Sequence, residues 1–138
     1  MRPGGPLAEV FASDLVPGVH RWSSSLDVAY VRGVVRRAGW RFGHLAGSAV
    51  VTVGDFHEAI SQALTFPPYY GRNLDALADC LGDCHGSQLL LWDDWGDFAR
   101  AEPRAPAIAL DLLGASQATT LLRGAGLSSP GADFPGIS

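Results

Sequence analysis

The densest run of groups able to do chemistry lies between Pro67 and Cys84, PPYYGRNLDALADCLGDC. It holds adjacent tyrosines, an asparagine, aspartates at 75, 79 and 83, and cysteines at 80 and 84. On a helix with Leu74 at 0°, Asp75, Asp79 and Asp83 fall at about 100°, 140° and 180°. Leu77, Leu81 and Cys84 fall at about 300°, 340° and 280°. A row of carboxylates thus stands opposite an apolar stripe, and burial accounts for the stripe. Asn73 is placed to cap the helix, which puts Asp75 in the first turn where the helix dipole favours a negative charge. Asp79 and Asp83 receive no such help. Asp83 nears the unfavourable C-terminal end, and like charges four apart cost about 0.2–0.5 kcal/mol per pair. Spacing alone leaves a solvated acidic face and a binding surface equally open. Tyr69 and Tyr70 at the helix entrance favour binding, because aromatics beside a charged row resemble a hot spot.

Other reactive groups carry less. Cys80, Cys84 and His85 crowd one helical turn, a spacing unlike that of structural zinc sites, and no second ligand pair follows. At about 240° and 280° the cysteines lie toward the apolar side, as small buried residues do. His57-Glu58 opens like H-E-x-x-H, but Ser61 stands where the second histidine belongs, so these read as surface residues, with a capping role for Glu58. No phosphate-binding loop, nucleophile elbow or dinucleotide fingerprint is present. His20 and His44 stand alone in strand-like segments. The expectation is a protein without catalytic residues, metal or cofactor.

The 138 residues allow one domain, and a 47% hydrophobic content supports a packed core. No apolar run is long enough to span a membrane. The opening MRPGGPLAEVFASDL lacks the uninterrupted apolar stretch of a signal peptide, and two cysteines make no disulfide scaffold. A cytoplasmic protein is expected. Charge is uneven: six arginines precede Phe42 against Glu9, Asp14 and Asp27, whereas Asn73–Asp97 holds six aspartates and no Lys or Arg. That block repels phosphates, which disfavours nucleic acid and suits a basic partner.

The elements that position the row follow from periodicity and punctuation. Residues 1–18 read as an arm with a helical turn at Leu7–Phe11. Gly18–Trp22 reads as a short strand. Asp27 caps a helix in which Val28, Val31, Val34 and Val35 share a face, and Gly39 stops it. Trp40–Leu45 alternates as a strand, with Gly43 as a weak point. Asp55, with Glu58 three residues on, marks the start of a helix that Pro67-Pro68 ends. A short helix runs from Asn73 to about Cys84, and Gln88–Trp92 reads as a strand buried on both faces. A helical turn at Trp95–Arg100, a helix at Pro106–Leu113, a strand at Ala118–Leu122 and a Gly/Ser/Pro tail complete the chain. The four tryptophans read as core anchors, with Trp95 the most exposed. Strands separated by helices predict a small parallel α/β sheet.

FPPYYGRNLDALADCLGD resembles the hallmark of the barstar family, intracellular protein inhibitors of secreted ribonucleases, and LLLWDDWGDFA downstream is similar to it as well. The likeness is strong over Asp55–Ala99, moderate over Trp40–Ala46 and Ala118–Arg123, and weak over 1–38. It implies a three-stranded parallel sheet packed with helices, to which residues 19–38 could add an N-terminal strand and helix. The domain then spans 19–124, between the arm and a tail at 125–138. It also implies that the position of Asp79 enters a ribonuclease active site in place of a substrate phosphate. That of Asp75 pairs with neighbouring basic groups, and that of Tyr69 stacks on a catalytic histidine. Gly71 and Asn73 match residues that add main-chain and amide contacts. Ala78 and Gly82 depart from the pattern, standing where the best-known member has Trp and Thr, and Asp111 is the candidate for a further acidic contact. The expected partner-binding set is Tyr69, Gly71, Asn73, Asp75, Ala78, Asp79, Gly82 and Asp83. Its expected partner is a basic secreted ribonuclease in a one-to-one complex, with no nucleic acid and no membrane. A different class of function, an antitoxin or interaction module for a basic partner that is no ribonuclease, stays open. A metal-dependent enzyme built on Cys80, Cys84 and His85 is a third and weaker reading.

Overall fold

A computed structural model of the chain describes residues 18–22, 26–84, 87–124 and 132–133, the side chains of residues 97, 132 and 133 excepted. Strand β1 (Gly18–Arg21) leads to helix α1 (Val28–Arg37), β2 (Arg41–Ala46) and a 3-10 turn at Gly47–Ala49. Next come α2 (Val53–Ala63), α3 (Leu74–Gly82) and β3 (Gln88–Asp93). Helices α4 (Trp95–Ala101) and α5 (Arg104–Gly114), β4 (Thr119–Arg123) and a two-residue β5 (Ala132–Asp133) follow. Of the expected arm, Gly18 instead opens β1, while residues 1–17 with the helical turn expected at Leu7–Phe11, and all of the tail but β5, lie outside the described residues.

The strands form one parallel sheet in the order β2-β3-β4-β1-β5. Three strands therefore understate it. β1 lies along β4 from Gly18 opposite Thr119 to Arg21 opposite Leu122, with β5 short at its edge. The N-terminal segment is drawn there by backbone groups that β4 leaves open: the Gly18 amide donates to the Ala118 carbonyl at 3.1 Å and that of Trp22 to Leu122 at 2.9 Å.

Going from β2 through β3 to β4, the chain crosses the sheet in one direction; going from β1 to β2 it runs back. Right-handed crossovers then place α1 on one face and the other helices on the opposite one. The core divides accordingly. Val31, Val34 and Val35 of α1 pack with Trp22, Leu89, Leu91 and Leu121. The alternate residues Leu90, Trp92 and Leu122 meet Phe56, Ile60, Leu77, Leu81, Phe98 and Leu113. Covered on both faces, β3 reads as an unbroken apolar run. Gly43 has its own reason in β2: a Cβ there would collide with the Ala63 carbonyl, so the glycine lets the end of α2 sit against the strand.

Local rules set most helix ends. Asp27 caps α1 by accepting from the Ala29 amide at 3.1 Å, and Gly39 leaves it at φ 86°. Helix α2 corrects the expected start at Asp55. Its N-cap is Thr52, whose hydroxyl accepts from the Asp55 amide at 3.0 Å while Asp55 reaches back to the Val51 and Thr52 amides at 3.1 Å each. The capping box is thus Thr-x-x-Asp, and Glu58 is free for other work. The helix also ends before the prolines. Thr65 turns left-handed at φ 56°, and the Phe66 amide closes onto the Ser61 carbonyl at 2.9 Å, a Schellman closure made without glycine. Trp95, expected near the surface, is buried with Trp22 and Trp92; Trp40 is the half-exposed one. Its place is decided by α4, which carries the ring back over the sheet beside Phe98.

Candidate functional site

Helix α3 forms where Asn73 supplies the cap, its carbonyl oxygen accepting from the Ala76 amide at 2.7 Å. The same side chain donates to the Gly71 carbonyl at 3.3 Å, tying loop to helix. Leu77 and Leu81 are buried, and the helix is thereby oriented. On its outer side Asp75 and Asp79 are exposed, and exposed Asp83 is the C-cap. None of the three carboxylates makes a hydrogen bond or ion pair among the described residues. Tyr69 is 85% exposed at the entrance, an unusual position for a large aromatic ring. Gly71, Asn73 and Gly82 are exposed, and Ala78 is half-buried. Asp111 is exposed on α5, the helix against which α3 packs.

The loop before α3 is held by residues that the sequence reading did not assign to the site. Tyr70 turns inward, and its hydroxyl lies 2.6 Å from Nδ1 of His57. His57 is 1% exposed, which corrects its reading as a surface residue. The signal was available: His57 precedes Ile60 by three and Leu64 by seven, and so lies on the buried stripe of α2. Burial pushes the imidazole below its usual value, so it stands neutral beside the phenol. Burial, then the neighbouring Cys80, pushes Tyr70 up to about 12, so it keeps its proton. Phe66 packs on the same ring at 5.0 Å between centroids. Arg72, left-handed at φ 54°, pairs with Glu58 of α2 at 2.6 Å, and Glu58 also accepts from Gln62 at 3.0 Å. The single cation of the loop is thus engaged, and both ends of the 69–73 segment are anchored.

The acidic row makes its field felt. The Cys80 thiol is pushed up first by burial, then by the charges of Asp83 and Asp79. Cys80 and Cys84 are half-buried free thiols lining a cleft of about 280 Å³ with Arg41, Phe66, Asp83 and Gln88. Among the described residues no three His, Cys, Asp or Glu side chains come together as metal ligands, and His85 lies outside those residues.

Not every aspartate of the acidic block belongs to this surface. Asp93, at the end of β3, takes a two-pronged contact from Arg123, Nε to Oδ1 at 2.6 Å and the second nitrogen to Oδ2 at 2.9 Å. His44 Nε2 lies 2.9 Å from the same Oδ2. Burial opposes ionisation of Asp93, yet the bonds and charges of Arg123 and His44 outweigh it and hold the carboxyl below its usual range. Arg123 also donates to the Leu26 carbonyl at 2.7 Å and lies 5.3 Å over the Trp22 ring, joining the N-terminal segment to the sheet.

No helix among the described residues is long and apolar enough to cross a membrane. A stretch of 25 residues, 18% of the chain, is 64% identical to the "Putative ribonuclease inhibitor YrdF" of Bacillus subtilis (strain 168) and spans 28% of that protein's length. The family described as barstar (barnase inhibitor) matches residues 40–127, which takes in β2 through β4, the tyrosine loop and all of α3. On that match, covering more than half of the sequence, the chain belongs to the Barstar family.

Proposed function

We propose that this protein is a stoichiometric, one-to-one inhibitor of a microbial ribonuclease and not itself an enzyme. The observation that carries this reading is the row Asp75, Asp79 and Asp83, exposed and without side-chain partners among the described residues, continuous with an exposed Tyr69. A ribonuclease active site binds phosphate with Arg, Lys and His, and a carboxylate delivered among them forms charge-assisted bonds in place of the phosphate. Asp79, at mid-helix, is the group that enters; Asp75 pairs with basic groups at the rim, and Tyr69 stacks on a catalytic histidine. Gly71 and Asn73 present main-chain and amide groups, Ala78 and Gly82 leave room for the enzyme's own side chains, and Asp83 extends the field. Such a field raises the association rate with a basic enzyme. Anchoring of the loop through Tyr70–His57 and Arg72–Glu58 reduces the ordering cost of binding. Placed in the cytoplasm, the inhibitor would protect the producing cell from its own secreted nuclease.

Titration against a panel of microbial guanyl-specific ribonucleases tests this. Inhibition should saturate at one equivalent, and Asp79→Ala should weaken it by at least about 30-fold, the threshold of a hot spot near 2 kcal/mol, with an unchanged melting temperature. Absence of inhibition across the panel would reject it. A second reading, a module for a basic partner that is no ribonuclease, is favoured by the small Ala78 and Gly82 on the helix face; capture of such a partner, abolished by Asp79→Ala, would select it.

A further inference from the structure

The outer edge of β2 is a sheet edge that lies apart from α3. At this end of the sheet the Arg41 amide donates to the Ser87 carbonyl at 2.8 Å, so Arg41 faces β3. The two-residue period of a strand then directs Gly43 and Leu45 toward β3 and the backbone groups of Phe42 and His44 outward. No described strand pairs with that side. A groove of about 550 Å³ runs along it between α1 and α2. Its lining is small on one side, with Ala46, Ala49, Ala59 and Ala63, and basic on the other, with Arg32 and Arg36. Arg36 is exposed and Arg32 lies 5.5 Å over the Phe42 ring; neither pairs with a carboxylate among the described residues.

We infer that this edge binds an extended acidic segment of a partner protein as an added strand beside β2. Open amide and carbonyl groups supply the ladder, alanines accept alternate small side chains, and the arginines select carboxylates on the segment. Two observations favour this occupant over others. A second copy aligned edge to edge would bring its own Arg32 and Arg36 against the first pair, and like charges oppose that contact. A nucleic acid would use the arginines but has no use for alternating backbone donors and acceptors spaced as in a strand.

The test uses the whole chain labelled with 15N and the blocked peptide Glu-Val-Glu-Val-Glu-Val. The amides of Phe42 and His44 should shift on titration and gain at least tenfold protection from hydrogen exchange. Arg32→Ala with Arg36→Ala should weaken binding at least fivefold while the remaining spectrum stays dispersed. A Lys-Val peptide of equal length and a peptide N-methylated at its central residues should both fail. Equal binding by either control would overturn the inference, as would Phe42 and His44 amides that are already protected in the free protein. Shifts that track protein concentration would assign the edge to a second copy, and displacement of the peptide by a single-stranded hexanucleotide would assign the groove to nucleic acid; either result would also overturn it.

Discussion

Two sets of carboxylates in this molecule obey opposite rules. Asp93 is built into the fold: half-buried, bonded twice by Arg123 and once by His44, and held below its usual range despite burial. Asp27 and Asp55 are likewise spent, each on backbone amides at the start of a helix, and Glu58 on Arg72. Along α3, Asp75, Asp79 and Asp83 stand exposed and unpaired among the described residues, repel one another, and end at a helix C-terminus where the dipole is also negative. Folding gains nothing from the last two. A charge that the fold does not need, placed where it costs stability, is available to a partner, and this difference separates the proposed binding surface from the structural carboxylates.

The comparison is broken most directly by exchanging the damage. Asp93→Ala should destabilise the protein by about 3 kcal/mol, because half-buried Arg123 loses the two-pronged carboxylate contact that offsets its desolvation. Asp79→Ala should move stability by no more than about 0.5 kcal/mol, as exposed substitutions do. Urea unfolding of both variants decides it; equal losses would erase the distinction. Acid should separate the sets too. With its folded-state pKa below the usual 3.8, Asp93 contributes stability that is present above that pH and lost as pH falls below it, since the unfolded chain takes up the proton first. The Asp93→Ala variant should lack that acid limb.

Tyr70→Phe tests the anchor between the two sets. It leaves the buried Nδ1 of His57 without its hydrogen-bond partner, so stability should fall by about 1–2 kcal/mol in the same unfolding assay. His57 adds its own pH dependence. Its pKa is lowered from 6.5 by burial, so its contribution is present above that value and declines as pH drops below it. A His57→Phe variant should flatten the stability profile in that window. The smallest effect is expected at the end of the row. Asp83→Lys should raise stability by about 0.3–1 kcal/mol, because a cation suits a helix C-terminus. The same change should slow association with a basic ribonuclease, and a stabilised variant that binds more slowly would show the row retained at a cost to the fold.

Much of this was legible in residue order. Asn73 with Leu77 and Leu81 prescribes a capped amphipathic helix, and from that alone the aspartates must face outward. Asp27 and Gly39 bound α1 as their chemistry requires, and Gln88–Trp92 reads as a doubly covered strand. Where the reading failed, nearby rules competed. Thr52 and Asp55 are both acceptable caps, and the choice went to the one whose box is reciprocal. Pro67-Pro68 would end any helix, but Thr65 ended this one earlier through a conformation that a β-branched residue seldom adopts. His57 looked solvated because its neighbour is Glu58, although the two point to different sides of α2.

The sequence by itself determined the helix that carries the acidic row, because capping and the 3.6-residue period act over a few neighbours and need no distant contact. It equally determined that the row is negative. Only the tertiary structure decided which aspartates are available. Asp93 and Asp79 are the same residue in the same acidic block, and what distinguishes them is Arg123, 30 residues further along the chain, brought beside Asp93 by the pairing of β3 with β4. The fourth strand was settled in the same way, since Gly18–Arg21 finds its place through hydrogen bonds to a strand a hundred residues away, and no local preference encodes that meeting.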